Sequence, residues 1–136
     1  MKKSTLVLLT IITSVIIFSA FKPATDVKVV AIVNKADWCS ICKNYAGRTV
    51  ATFTENNTDG YFQFIVNDIT SEETKRTSRP AIVKAGLEKT LDGSLAAGVL
   101  SFYHAKTKKL IAQVTVANTP EEIAATMKMV REKSAE

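Results

Sequence analysis

The stretch "KADWCSICK", from Lys35 to Lys43, contains Cys39 and Cys42, which are the only two cysteines among 136 residues. Two cysteines separated by two residues occur in redox-active disulfides, in metal-binding knuckles and in plain structural disulfides. The spacing alone does not distinguish these three cases. They are distinguished by the elements predicted on either side of the pair and by the metal ligands present elsewhere in the chain.

A strand is predicted before the cysteines and a helix after them. Residues 27–34, "VKVVAIVN", are rich in β-branched side chains and almost continuously apolar, which is typical of a central strand covered on both faces. From Cys39 to about Glu55 there is no proline and only one glycine, Gly47, and larger apolar side chains recur at helical spacing. We therefore expect Cys39 in the first turn of a helix that follows a buried strand.

A second strand and a second helical region follow. Residues 61–69, "YFQFIVNDI", predict the strand, and Thr70–Glu73 fits a capping box at the start of the helical region. Because proline is unfavourable inside a helix, we expect an interruption near Pro80, with a new helix from there through Leu91. A loop with two glycines, "LDGSLAAG", comes next.

The last part of the chain predicts a hairpin and a helix. Residues 99–103 and 110–116 flank a six-residue polar turn, which is typical of two antiparallel strands. Thr119 is suited to cap the final helix, with Pro120 in its first position and Glu122 reaching back to the cap. The apolar stripe of this helix, which predicts packing against the sheet, consists of Ile123, Met127 and Val130.

The element order is thus β-α-β-α-β-β-α. Right-handed crossovers make the first two strands parallel, and the hairpin adds antiparallel strands at one edge. With helices on both faces, the sequence predicts a single α/β domain, a three-layer sandwich around a mixed four-stranded sheet. We expect it to be a monomer.

The N-terminus has the pattern of a targeting segment. Lys2 and Lys3 precede an uncharged apolar run at residues 4–21, so residues 1–23 are predicted to be a signal peptide or an uncleaved membrane anchor. In the second case residues 4–21 would tether the protein to the membrane. The domain at residues 24–136 is expected to be exported, to the periplasm or another extracytoplasmic location.

The charge of the chain argues against nucleic acid as a partner. Its formal net charge is +5, but three of the 18 basic residues lie before residue 23 and none of the 13 acidic residues does. The predicted domain therefore carries a net charge of only +2. Without a long basic run or interleaved basic and aromatic residues, nucleic-acid binding has no support.

The predicted position of the cysteines favours redox chemistry. A helix N-terminus presents unpaired amides and a partial positive charge, which stabilise a thiolate. Cys39, the outer residue, is the expected nucleophile, and Cys42 is expected to resolve the mixed disulfide. A structural zinc site needs four ligands, whereas the chain offers two cysteines and His104, which we expect to be an exposed turn residue.

The segment "ADWCSICK", residues 36–43, resembles the active-site segment of the thioredoxin-like family, and the resemblance extends over residues 27–133. It implies the minimal thioredoxin fold and thiol–disulfide exchange with protein thiols or disulfides, without a cofactor or metal. Trp38 is expected to cover the site as a partly buried ring and to shape the substrate-binding surface.

Three features depart from the pattern of that family, one of which is Ser40-Ile41 between the cysteines in place of the Gly-Pro of thioredoxins. Members usually carry a cis-proline before the first hairpin strand, where this chain has Ala97 or Gly98, and a buried acid where it has Val33. Ala97 and Gly98 are therefore the expected substrate-binding positions, and the absent proline is expected to leave the cysteines more open. Loss of the acid is expected to slow removal of the proton from Cys42.

The sequence therefore predicts an exported thiol–disulfide oxidoreductase. The alternative is a non-catalytic module of the same fold that binds a partner protein or a soft metal ion such as Cu(I) through the two thiolates. The missing proline and acid favour this alternative, whereas the intact Trp-Cys-x-x-Cys at a helix start favours the enzyme. Nothing in the sequence indicates whether exchange runs in the reducing or the oxidising direction.

Overall fold

The computed structural model of the protein describes residues 26–91 and 96–136. The predictions for residues 1–23, including the domain boundary and the tether, lie outside the described residues. No helix within the described ranges is long and apolar enough to cross a membrane. The elements are β1 (Val29–Lys35), α1 (Ser40–Glu55), β2 (Phe62–Asp68), α2 (Glu72–Lys84), α3 (Glu88–Leu91), β3 (Val99–His104), β4 (Leu110–Thr115) and α4 (Pro120–Ser134).

The four strands form one mixed sheet in the order β2-β1-β3-β4. β1 and β2 are parallel, with Val29 opposite Phe62 and Lys35 opposite Asp68. β3 runs antiparallel to both β1 and β4. The central position of β1 explains its continuous apolar sequence, because six of its seven residues are buried. The predicted mixed four-stranded sheet is confirmed.

Helices cover both faces of the sheet. α1 and α4 lie on one face and share the larger hydrophobic core with alternate residues of β1, whereas α2 and α3 lie on the other. The predicted stripe of α4 is confirmed, since Ile123, Met127 and Val130 are buried in the larger core. The predicted three-layer α/β sandwich is confirmed.

Met127→Ala, which truncates a residue of the larger core, is expected to lower the free energy of unfolding by about 2–5 kcal/mol, as denaturant unfolding would measure.

The capping box of α4 is also confirmed, whereas the one predicted for α2 is wrong by one residue. Ser71, not Thr70, is the cap of α2, and its hydroxyl accepts the N–H of Thr74 at 3.2 Å. The side chain of Thr70 has another partner, because its hydroxyl donates to the Asp68 carboxylate at 2.5 Å. Thr70 therefore belongs to the end of β2 and not to the helix.

The predicted interruption at Pro80 is also wrong. α2 continues through Pro80 and ends at Lys84. Pro80 and Arg76 are both exposed, so water can solvate the Arg76 carbonyl that lacks a helical N–H donor. Beyond the proline, Ile82 packs into the core on this face and holds the last turn in place. Gly86, with φ of 71°, separates α2 from the short α3.

Candidate functional site

The two cysteines lie at the start of α1, shortly after the end of β1, as the sequence predicts. Cys39 is the N-cap of α1, with an extended backbone, and its Sγ accepts the backbone N–H of Cys42 at 3.2 Å. A sulfur here takes the place of the oxygen that usually caps a helix. The first turn of α1 contains no acidic residue, so no carboxylate in that turn opposes negative charge on Cys39.

Cys39 and Cys42 are joined in a disulfide, with their Cα atoms 5.3 Å apart. Cys39 is 7% exposed and Cys42 is 5% exposed. They form a small apolar cluster with Ala36 and Ile69, which Ile41 and Ala97 cover from outside. The expectation that the absent proline leaves the cysteines more open is wrong.

Gly98 and Ile41 explain why the site is closed. Gly98 has φ of 80°, and a Cβ on it would lie 2.5 Å from Ile41 Cδ1 and 3.6 Å from Cys39 Sγ. The Ile41 side chain therefore fills the space that a side chain at position 98 would need. Proline is excluded at position 98 because its ring holds φ near about −65°. No cis peptide bond occurs within residues 26–91 or 96–136.

Trp38 is an exposed residue. It is 65% exposed, whereas the two cysteines are buried in a cluster with Ala36 and Ile69. The prediction of a partly buried ring is wrong because Ala36, Ile41, Ile69 and Ala97 already enclose the sulfurs. Trp38 is instead a large exposed aromatic side chain directly before the disulfide, of the kind that is enriched at protein interfaces.

Hydrogen bonds and ion pairs join the turn that contains Trp38 to residues at the end of β2. Lys35 Nζ lies 2.8 Å from an Asp68 carboxylate oxygen and 3.2 Å from an Asp37 carboxylate oxygen. The N–H of Asp37 donates to the Thr70 hydroxyl, which in turn donates to Asp68. Hydrogen bonds from Lys35 and then from Thr70 hold the pKa of Asp68 well below its ordinary value. Lys35 therefore belongs to this network, although its side chain is still 41% exposed.

A cavity of about 100 Å³ lies beside Cys42, between α1 and the sheet. Val33, Thr49 and Phe64 contribute to its wall, and the Thr49 hydroxyl donates to the Val116 carbonyl. None of the residues that line the cavity is an aspartate or glutamate. Val33 and Cys42 therefore line the same cavity, and no carboxylate in the cavity wall can accept a proton from Cys42.

His104 lies at the opposite end of the sheet, where it is the cross-strand neighbour of Val29. It is the half-buried last residue of β3, and its Nδ1 accepts the backbone N–H groups of Lys106 and Thr107. The predicted place at the hairpin turn is therefore confirmed, whereas the predicted exposure is wrong because His104 is half-buried at the end of β3. Within the described ranges no cluster of three or more His, Cys, Asp or Glu residues could hold a metal ion.

The strand order, the parallel β1–β2 pair and the Cys-x-x-Cys pair at the start of α1 together make this a thioredoxin-like fold. No protein-family model and no curated protein matches the chain. Among solved structures, the chain is similar to the crystal structure of Trxlp from Edwardsiella tarda EIB202. The two are 14% identical, with a TM-score of 0.49, over 75% of this chain and 84% of that one.

Sequence reasoning missed two buried polar residues beside the site, Asn34 and Asn67. A signal for them is present, because both strands end in the same pattern of valine, asparagine and a charged residue, at residues 33–35 and 66–68. The two triplets are paired in register in the structure. Asn67 donates to Asn34 at 2.9 Å, and Lys35 pairs with Asp68 one position further along.

The contact between Gly98 and Ile41 predicts an energetic coupling. Gly98→Ala should lower the free energy of unfolding by about 2–4 kcal/mol, from the left-handed backbone and from overpacking. In an Ile41→Ala background the overpacking is relieved, so Gly98→Ala should lower the free energy of unfolding by about 1–3 kcal/mol less than it does in the wild type. Denaturant unfolding of the oxidised single and double variants measures the coupling.

Gly47→Ala is the matched control for this cycle. Gly47 lies within α1, and a Cβ there meets no atom within 4 Å, so alanine should be neutral or stabilise by up to about 1 kcal/mol. If Gly98→Ala is as harmless as Gly47→Ala, or if Ile41→Ala gives no recovery, the steric account of the closed site is wrong.

Proposed function

We propose that the protein is an exported thiol–disulfide oxidoreductase that exchanges disulfides with protein partners through Cys39 and Cys42. The observation that carries the proposal is the disulfide at the N-terminus of α1, with the Cys39 sulfur in the capping position. A merely structural role is less well supported, because a disulfide that closes so short a loop constrains the unfolded chain little.

The environments of the two sulfurs support different roles. Cys39 Sγ accepts an N–H and lies at the positive end of the α1 dipole, and both favour a thiolate. Cys42 Sγ lies 4.0 Å from the carbonyl oxygen of Asn34, an acceptor that favours a protonated thiol. We therefore assign Cys39 as the nucleophile and Cys42 as the resolving residue.

The proposed exchange is a two-electron transfer in two steps. The Cys39 thiolate attacks a partner disulfide, forming a mixed disulfide and releasing one partner thiolate, which takes up a proton. Cys42 then loses its proton and attacks the Cys39 sulfur, which restores the intramolecular disulfide and releases the second partner thiol. The same steps in reverse oxidise a partner dithiol. Trp38, Ala97 and Gly98 are the proposed contact positions for the partner chain.

The first test is a titration of the nucleophile. Alkylation of reduced Cys39 across a pH series should give a pKa below the free-cysteine value of about 8.5, in the wild type and in Cys42→Ser. In an insulin-reduction assay, the wild type should turn over and Cys39→Ser should not. A Cys39 pKa at or above the free value in both proteins, with Cu(I) retained by the reduced protein and no turnover, would establish the binding-module alternative.

A second test concerns the proton of Cys42. Val33→Asp places a carboxylate in the cavity wall, and should speed exchange near neutral pH by about tenfold as a proton acceptor. It should also lower the free energy of unfolding by about 1–3 kcal/mol, because a polar group is buried there. Val33→Asn is the matched control, with the same shape and no base. Equal exchange rates in the two variants would show that another acceptor already serves Cys42.

Export is the part of the proposal that rests on the N-terminal sequence alone. Lys2 and Lys3 before an apolar run support it. The fold is compatible with a tether, because β1 begins at Val29 and the disulfide follows its other end, about 20 Å away along the strand. Cell fractionation should place the protein outside the cytosol, and a variant lacking residues 4–21 inside it. Full-length protein in the cytosol would contradict the proposal.

A further inference from the structure

Two asparagines form a buried pair at the end of the central strands. Asn34 is 4% exposed and Asn67 is 5% exposed, and they are direct cross-strand neighbours in β1 and β2. Asn67 Nδ2 donates to Asn34 Oδ1 at 2.9 Å. Two residues earlier on the same face of the two strands, Ile32 and Ile65 are apolar core residues. An apolar pair would therefore continue the core at this position.

A buried amide pair is costly unless all its polar groups are satisfied, so its other partners indicate what it does. The Asn34 side chain donates to the carbonyl of Ala96 at 3.3 Å. The Asn34 backbone carbonyl accepts the N–H of Gly98 at 2.7 Å, and it also lies 4.0 Å from Cys42 Sγ. Asn34 thus bonds both ends of the segment 96–98 and touches the resolving cysteine.

The role of Asn67 follows from the orientation of the Asn34 amide. Because the N–H of Asn67 points at Asn34 Oδ1, the opposite side of the amide, Nδ2, is directed at Ala96. Removing Asn67 takes away the bond that sets which side of the Asn34 amide faces Ala96, because the terminal torsion of asparagine is soft. The bond to Ala96 then loses a fixed direction, whereas the backbone bonds of Gly98 to Asn34 and Val116 and the packing of Ala97 remain.

We propose that Asn34 and Asn67 are positioning residues that hold the segment 96–98 against the Cys39–Cys42 disulfide. Their consequence for a substrate rests on the proposed function, in which this segment contacts the partner chain. The pair acts on the placement of the loop and not on the sulfur chemistry. Loss of the pair therefore weakens partner binding and leaves the reaction of the disulfide with a small dithiol unchanged.

The first test is amide hydrogen exchange in the oxidised full chain, which needs no substrate. In Asn67→Ala, protection of the Gly98 amide should fall about fivefold or more relative to the wild type, as expected for loss of one net hydrogen bond. The amide of Ile69 is the internal reference, because it donates to the Lys35 carbonyl at the same end of the sheet. Its protection should change less than that of Gly98.

The second test separates binding from chemistry with a disulfide-containing peptide as substrate. Asn67→Ala should raise KM about fivefold and change kcat less than about twofold. The rate at which dithiothreitol reduces the Cys39–Cys42 disulfide should stay within twofold of the wild type. Ile65→Val, a core change on the same face of β2, should leave both KM and the Gly98 amide unaffected. Asn67→Ser is the milder variant if alanine prevents folding.

Two outcomes would overturn the inference. One is protection at Gly98 that is unchanged or that falls in step with Ile69, because the pair would then contribute only to stability. The other is a KM equal to that of the wild type with a lower kcat. If the wild type exchanges with no disulfide at all, the proposed function fails, and the Gly98 amide still decides whether the pair holds the loop.

Discussion

The parallel register of β1 and β2 is the constraint on which the site depends. It places residues 33–35 opposite residues 66–68, so that a valine pair, an asparagine pair and an ion pair follow one another at the end of the two strands. A slip of one residue would turn each side chain to the other face of the sheet and separate all three pairs. The register is determined by the earlier residues of β1 and β2, because alternate residues of both strands pack into the two cores.

Each segment that surrounds the disulfide is anchored to this strand end. Asp68 and Thr70 hold the turn before the helix, and Asn34 holds the segment before β3. Cys39 is itself the cap of α1. The sulfurs lie in an apolar cluster, and their hydrogen-bond partners are a backbone N–H for Cys39 and a backbone carbonyl for Cys42. These two groups distinguish one cysteine from the other.

The closed surface of the site comes from a pair of residues that fit each other. Gly98 has no side chain and adopts a left-handed backbone, and Ile41, between the two cysteines, occupies the resulting space. A glycine with a bulky neighbour thus covers the sulfur where the thioredoxin-like pattern has a proline. Trp38, the residue that precedes Cys39 in the chain, is exposed.

The sequence by itself determined the features that depend on neighbouring residues and on periodicity: the buried first strand, the helix that begins at the cysteines, the hairpin and the cap of the last helix. The handedness of the crossovers then predicted that the first two strands are parallel and that the hairpin joins one edge of the sheet. The structure decided that the hairpin joins at β1. Only the tertiary structure decided that Thr70 bonds Asp68 and does not cap α2, that Trp38 is exposed, and that Gly98 fits against Ile41. Gly98 and Ile41 are far apart in the chain, and the Thr70–Asp68 bond, although local, belongs to a network that includes Lys35 of the neighbouring strand. Their geometry exists only once the strands are paired in register and the helices are packed against them.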